Sequence, residues 1–286
     1  MSLHKQKIED NSSLMVGMRE VEHFSVSSRL LRQAQTLRVD ASYFNPAVAR
    51  ALEVLRHSGM ELKELGEITS RVFIPNRFKR IYVKMAYGLP FLQGSHIVHF
   101  QPADVKYVSR KAHKNIAQWI IEKNWLLVTR SGTVGRVALC PSDWDGWAAS
   151  EHILRIVPNE AKCPSGYLCS FLASSLGHVQ LTKHIYGAVV DELTEDQTKS
   201  VLVPLPVNER QRSIVERINQ EAHEAVEVRS RAVGLITKAV ADVGVLVNED
   251  ENDAHIATTR LDEVDHDPAK LVRGKDLKRI LSKLES

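Results

Sequence analysis

The chain has 286 residues, 43% of them hydrophobic and 26% charged, which excludes wholesale disorder and allows one large domain or two smaller ones. No segment approaches the roughly 18 apolar residues that span a bilayer, and the N-terminus lacks a secretory signal, so we expect a cytoplasmic protein without membrane association. The net charge is only +3, and three cysteines without paired spacing exclude a disulfide framework and a zinc site.

The first predicted element is a helix that begins at Pro46. Asn45 and Pro46 suit the N-cap and the first turn, and an apolar face that includes Leu52 and Leu55 continues until Gly59. This spacing indicates a helix packed on a core.

The next region is basic. Residues 61–140 hold 13 Lys and Arg against 5 Asp and Glu, whereas residues 141–207 hold 4 against 8. Such an excess is typical of a face that binds a polyanion, although an ordinary solvated surface accounts for it equally well. A strand-like segment with a basic rim is predicted over 77–84, an apolar strand over 88–92 and a glycine turn over 93–96. The candidate side chains here are Arg77, Lys79, Arg80, Gln93, His96, Arg110, Lys111, Lys114 and Asn115.

A tight strand pair is predicted between Trp125 and Leu139. Two short apolar runs are joined by Arg130-Ser131-Gly132-Thr133-Val134-Gly135 and leave along Arg136-Val137. The two glycines allow a sharp bend, and they could also present backbone N–H groups to a phosphate. Both interpretations stay open, and they can hold together.

The C-terminal part predicts a strand over 153–157, a helix over 167–176 and a rigid extended exit over 203–206. Asn208 then caps a long helix, with Gln211 at the third helical position as in a capping box. Apolar residues follow a 3-4 spacing along this helix, which predicts a coiled-coil seam. A helix packed on its own domain is the alternative. The seam residues are Val215, Ile218, Ala222, Ala225, Ala232, Ile236, Ala239 and Val243, with Arg229 breaking the series.

In order and spacing, these elements resemble the target-recognition domain of type I restriction-modification specificity subunits, followed by the spacer helix of that family. The resemblance covers roughly Val39 to Val243. It implies an α/β (α+β) recognition domain with a mixed, bent sheet over 39–207 and a coiled-coil spacer helix over 208–247. Residues 1–38, an extension without assigned role, and residues 248–286, an acidic linker and a short basic amphipathic helix, lie outside it.

The resemblance further implies a non-catalytic, half-length specificity subunit that reads a DNA half-site. Arg77, Lys79, Arg80, Arg110, Lys111, Lys114, Arg130 and Arg136 are then expected mainly at phosphates, with Ser131, Gly132 and Gly135 in the turn. Gln93, His96 and Asn115 are expected at base edges. The implied partners are double-stranded DNA, methyltransferase subunits that bring S-adenosylmethionine, a motor subunit, where one exists, that brings ATP, and a second copy of the chain.

Two other functions stay open at this point. Asp145, Glu160 and Lys162 have the spacing of a metal-dependent nuclease site, although prolines bracket the segment that holds the last two. A coiled-coil interaction protein that does not bind DNA is the second alternative.

Overall fold

The computed structural model describes residues 46–102, 104–113, 115–183 and 192–247. The extension predicted over 1–38, the tail predicted over 248–286 and the side chain of Lys114 lie outside these residues. The predicted first helix is present as α1, Pro46–Arg56, and it buries Ala51 and Leu55.

Within the described residues, ten strands form three sheets. They are Glu61–Glu64 (β1), Thr69–Phe73 (β2), Tyr82–Val83 (β3), Gly88–Leu92 (β4), Lys106–Ser109 (β5), Leu126–Thr129 (β6), Val137–Leu139 (β7), Ala148–Ala149 (β8), Ile153–Pro158 (β9) and Leu202–Leu205 (β10). The strand orders are β1-β10, β2-β9-β6-β7 and β3-β5-β4-β8. All pairs are antiparallel except β4 with β8. The predicted α/β (α+β) class with mixed strand pairing is confirmed, and the described residues form three separate sheets where one bent sheet was predicted.

The central strand β6 of the second sheet is buried on both faces, and its first three residues are apolar. Leu126 and Val128 point into the main core, which is closed by helices, while Leu127 points into a second core beside Trp144. An uninterrupted apolar run is what such a strand requires. The predicted hairpin is confirmed, with Val128 of β6 opposite Val137 of β7.

The helix predicted over 167–176 is divided into two, Ser165–Ala173 (α3) and Ser175–Thr182 (α4). Ser174 is extended between them, and its Oγ accepts a hydrogen bond from the Gly177 N–H, so it caps the second helix. A Cβ on Gly177 would lie 2.3 Å from the Phe171 carbonyl oxygen, so the close approach of the two helices requires glycine there. Two short helices, Leu65–Ile68 (α2) and Glu195–Lys199 (α5), complete this layer.

The long helix α6 runs from Glu209 to Val247, 39 residues or about 58 Å by helical rise. Its cap is close to the prediction. Asn208 Oδ1 accepts from the Gln211 N–H at 3.0 Å, but Gln211 Oε1 accepts from the Val207 N–H, one residue before the position a capping box uses. Among the described residues, no helix is long and apolar enough to cross a membrane.

The predicted seam is wrong for the first half of α6. Val215 is buried in the main core, and Ile218 packs against that core. Ala222 lines a groove of about 370 Å³ between the helix and the domain. These side chains cover their own domain and are not free for a second helix. The seam residues Ala225, Ile236, Ala239 and Val243 are exposed, and Ala232 is half-buried.

Candidate nucleic-acid interface

The predicted hairpin turn lies against the turn that joins β8 to β9. The Arg130 N–H donates to the carbonyl of His152 at 3.0 Å. Ser131 Oγ lies 2.8 Å from His152 Nδ1, within hydrogen-bond distance. These contacts join the turn at 130–136 to the turn at 150–152.

Two further turns reach the same place. The Ser150 N–H donates to the carbonyl of Leu92 at 2.9 Å, which brings in the turn at 93–96 after β4. Arg80, in the connection between β2 and β3, donates to both carboxylate oxygens of Glu151, each at 2.8 Å. The segments 76–81, 93–96, 130–136 and 150–152 therefore form one surface, which we call the four-turn surface.

Both glycines of the hairpin turn adopt positive φ, +73° at Gly132 and +82° at Gly135. Their surroundings differ. A Cβ on Gly132 would meet nothing within 4 Å, whereas a Cβ on Gly135 would lie 2.8 Å from Thr182 Cγ2 and 3.0 Å from His178 Cε1. Gly135 therefore packs inward on α4, and only Gly132 leaves room for a phosphate beside its backbone.

A buried arginine holds the turn between β8 and β9. Arg155 is fully buried, and its guanidinium donates to the carbonyls of Ser150 at 2.8 Å and Ala149 at 2.5 Å. Burial lowers the pKa of Arg155 to about 9, while Glu151 acts to raise it, so the side chain stays charged at neutral pH. A cation that binds backbone carbonyls from within fixes this turn without exposing its charge.

The half-buried Arg80 forms an ion pair with the buried carboxylate of Glu151. Burial disfavours the Glu151 carboxylate, but hydrogen bonds from Arg80 and from the Glu151 backbone, with the charge of Arg80, hold the pKa of this carboxyl below its usual value. The guanidinium is also 5.3 Å from the centre of the Phe91 ring. Arg80 was predicted to contact a phosphate, and the structure gives this guanidinium a different partner in the free protein.

Arg130 is held in a similar way. Its Nη2 donates to Glu192 at 2.5 Å, and its Nε donates to the Leu193 carbonyl at 3.3 Å. Arg77 lies 3.9 Å from the same carboxylate and is exposed. Glu192 thus fixes Arg130 and leaves Arg77 only loosely held.

Four of the predicted cations are exposed, namely Lys79, Arg110, Lys111 and Arg136, and within the described parts of the chain none of them forms an ion pair. The loop after β5, which carries Arg110 and Lys111, reaches the four-turn surface through aromatic contacts. The His113 and Phe78 rings lie 5.0 Å apart, and Trp119 Nε1 donates to the Asn76 carbonyl. Lys79 and Arg136 therefore lie within the four-turn surface, and Arg110 and Lys111 lie on a loop that contacts it.

The three predicted base readers differ in accessibility. His96 is buried, and its Nδ1 accepts a hydrogen bond from the Gln93 N–H at 3.2 Å. Burial, with the neighbouring His99, lowers the pKa of His96, so the ring is neutral at physiological pH. A direct contact between His96 and a base is thus corrected to a role in holding the turn. Gln93 is half-buried, and Asn115 is exposed.

The nuclease spacing has no counterpart in space. Asp145 Oδ1 accepts from the Lys123 N–H, and Glu160 Oε2 accepts from the Ser165 N–H. Lys162 Nζ donates to the carbonyl of Glu67. Each side chain holds a different backbone segment. The described residues contain no group of three or more His, Cys, Asp or Glu that could hold a metal ion.

Four side chains of this site were not predicted, namely Glu151, His152, Arg155 and Glu192. The sequence carries one local signal for them. Glu151 and His152 stand between two apolar runs, as polar turn residues do. Arg155 lies within a strand run, and its burial follows only from the way β9 packs.

Comparison with known families gives a match to the type I restriction modification DNA specificity domain over residues 58–224, more than half of the chain. Comparison with curated proteins gives no match.

Solved structures with similarity include the HsdS subunit of Thermoanaerobacter tengcongensis, at 21% identity and a TM-score of 0.43, covering 72% of this chain and 48% of that one. A chain from a structure on complex assembly and conformational transition of the type I R-M system has 17% identity and a TM-score of 0.44, covering 74% and 53%. The S subunit of M. genitalium has 12% identity and a TM-score of 0.38, covering 56% and 39%.

Proposed function

The chain belongs to the family of the type I restriction modification DNA specificity domain, and on this premise we propose that it reads one half of a bipartite DNA target. It spans about half the length of the first two structures to which it is similar. One recognition domain and one long helix lie within its described residues. The observation that carries the proposal is the convergence of four turns within the segment that matches the family, with exposed cations in these turns and on the adjoining loop after β5.

We assign the exposed cations to phosphates and the polar side chains of the turns to bases. Phosphate contacts fix the register of a protein on DNA, whereas sequence is read at base edges. Exposure without an ion pair supports the first role for Lys79, Arg110, Lys111 and Arg136. Arg77 joins them because its only carboxylate neighbour in the described chain is 3.9 Å away.

The base-edge contacts fall to side chains on the rim of the four-turn surface. Gln93, Asn115 and Ser131 were predicted at the interface, and His152 is added because Ser131 orients its ring. Arg80 and Arg130 hold the turns through Glu151 and Glu192. Gly132 lets a phosphate approach the backbone.

The test is a salt titration of DNA binding by fluorescence anisotropy. Neutralising phosphates releases counterions, so the affinity of the wild type should fall linearly on a log–log plot as salt rises. Lys79→Ala should reduce that slope by about one unit. Arg56→Ala, which removes an exposed cation at the end of α1 that forms no ion pair within the described residues and lies outside the four-turn surface, is the matched control and should leave the slope unchanged. Salt-independent binding, or none, would contradict the proposal.

We further propose that this chain carries no catalytic site and that partner subunits supply the chemistry. The separate backbone contacts of Asp145, Glu160 and Lys162 support the first part. The partners would be methyltransferase subunits that bind S-adenosylmethionine and, where one is present, a motor subunit that uses ATP. All of them act on cellular DNA, so we place the chain in the cytoplasm.

We propose that the second half-site is read by a second copy, paired through the distal half of α6. Ile236 is 46% exposed and Val243 59% exposed, and the small residues Ala232 and Ala239 lie on the same face and would allow close approach. An antiparallel partner would cover this face and place the two domains at opposite ends of the pair. A two-fold protein imposes its symmetry on the site, so the target is an inverted repeat.

A further inference from the structure

The long helix α6 changes its surroundings halfway along its length. In the first half, Val215 is buried, and the Asn219 side chain accepts from the Gly166 N–H at 2.9 Å. In the second half, Leu235 is 69% exposed and Val240 68% exposed. The change takes place over residues 227–230, where the helix makes the last of its ion pairs and side-chain hydrogen bonds with the domain among the described residues.

The strongest of these last contacts are made by Arg229. Its Nε donates to the carbonyl of Phe100 at 2.9 Å, and its guanidinium carbon lies 4.6 Å from the centre of the Trp144 ring. Trp144 is buried, so it is a fixed surface for the cation. Beside it, Ser230 Oγ donates to Asp143 Oδ1 at 2.6 Å. We call Arg229, Ser230 and their three partners the latch.

Arg229 stands at a position where the 3-4 series of the helix calls for an apolar residue. A cation in a helix–helix seam would be buried without a partner, which is costly. In the structure this side chain faces its own domain, and its Nη2 is buried without a hydrogen-bond partner among the described residues. A residue of a helix–helix seam would not face its own domain. The observed orientation fits a side chain that joins the helix to the ring of Trp144.

A small change at the latch moves the far end of the helix a long way. The 17 residues from Arg231 to Val247 extend about 26 Å beyond it by helical rise. A change of about 10° in the direction of the helix would displace its end by about 4.5 Å, more than the rise of about 3.4 Å per base pair along DNA. Two copies joined through their distal helices would each add such a displacement.

We propose that Arg229 is a positioning residue that fixes the angle at which α6 leaves the recognition domain, and through it the gap between the two half-sites that a pair of chains reads. The first part concerns the chain alone, and the second rests on the proposed function. The segment from Gln93 to Phe100 joins the two regions, because it begins in the four-turn surface and ends in the latch. One continuous segment of the chain thus connects the contacts that fix the helix angle to the surface proposed to bind DNA.

The angle is tested on the full chain with spin labels attached at Lys79→Cys and Lys238→Cys. Pulsed electron paramagnetic resonance then measures the distribution of distances between the two labels. Dilution with an excess of unlabelled chain leaves only the distance within one molecule. Burial raises the pKa of Cys140, Cys163 and Cys169 to about 12, which disfavours their labelling. The wild type should give one narrow distance, and Arg229→Met a distribution at least twice as broad. Arg229→Lys should narrow it again, since a lysine keeps the cation over Trp144.

Two controls keep this test decisive. Arg231→Met removes an exposed arginine from the same helix and should leave the distribution narrow. Ser230→Ala loses only the hydrogen bond to Asp143, so it should broaden the distance distribution less than Arg229→Met does. It also provides the test if Arg229→Met does not fold. Distributions of equal width in the wild type, Arg229→Met and Ser230→Ala would overturn the latch.

The gap is tested with a library of DNA duplexes that carry inverted repeats. The separation between the two half-sites increases by one base pair from one duplex to the next, and the duplexes that the protein binds are selected. The wild type should retain one separation, while Arg229→Met should retain several neighbouring ones with its affinity for an isolated half-site within twofold of the wild type. A single unchanged separation in Arg229→Met would overturn the second part. If no variant binds DNA while the spin-label distances behave as described, the proposed function fails and the latch stands.

Discussion

The two glycines of the hairpin turn should respond differently to the same substitution. Both have positive φ, but only Gly135 packs against α4. We therefore compare Gly135→Ala with Gly132→Ala. Gly132→Ala is destabilised only by the positive φ of its backbone. Gly135→Ala is destabilised by its positive φ and also by the steric clash with α4.

The left-handed backbone conformation costs a residue with a Cβ about 1–2 kcal/mol of folding free energy, and this cost applies at both positions. At Gly135 the added Cβ would also lie 2.8 Å from the methyl carbon of Thr182 and 3.0 Å from the His178 ring. Overpacking of this kind costs about 1–3 kcal/mol. Gly135→Ala should thus lower the free energy of unfolding by about 2–5 kcal/mol, against about 1–2 kcal/mol for Gly132→Ala.

Urea unfolding followed by circular dichroism measures both values. A Thr182→Ser background removes the methyl carbon and keeps the hydroxyl, which donates to the His178 carbonyl. In that background, the loss of unfolding free energy caused by Gly135→Ala should be smaller by about 1 kcal/mol, whereas the loss caused by Gly132→Ala should be unchanged. Equal destabilisation by the two alanine variants, with no effect of the Thr182→Ser background, would refute the inward packing of Gly135.

Lys79→Ala and Arg136→Ala should weaken binding to target and random duplexes by similar factors in anisotropy titrations, and selective loss of target binding would mean that the residue reads a base. Glu151→Gln should lower the free energy of unfolding by about 1–3 kcal/mol at neutral pH in urea titrations. Because the folded pKa of Glu151 lies below its usual value, this contribution is complete above the unfolded pKa and is lost as pH falls through the folded pKa, so an equal difference in acid would contradict it. Ile236→Asp combined with Val243→Asp should convert a pair of chains to monomers in light scattering, and a monomeric wild type at micromolar concentration would contradict the pairing.

The elements that local pattern can define were predictable. The hairpin around Gly132 follows from two apolar runs and the turn chemistry between them, and the structure has it. The long helix follows from Asn208, Gln211 and the 3-4 spacing, and α6 begins within a residue of the predicted start. In both cases the residues that decide the structure are close together in the chain.

What could not be predicted depends on contacts between distant segments. Spacing shows that Val215 and Ile236 lie on apolar stripes, but it does not show which of them is buried against the domain and which stays exposed. Arg80 looked like a free cation because Glu151, which binds it, is 71 residues away in the chain. Arg155 is an arginine in an apolar strand, and only the fold shows the carbonyls that hold it.

The most direct test of the central claim is selection of duplexes from a random library by the full chain, followed by sequencing. Base contacts from the four-turn surface and pairing through α6 together predict enrichment of one inverted repeat, divided by a fixed central gap. Retention of duplexes without any common sequence, at a salt concentration where binding still occurs, would contradict the assignment of this chain to DNA sequence specificity.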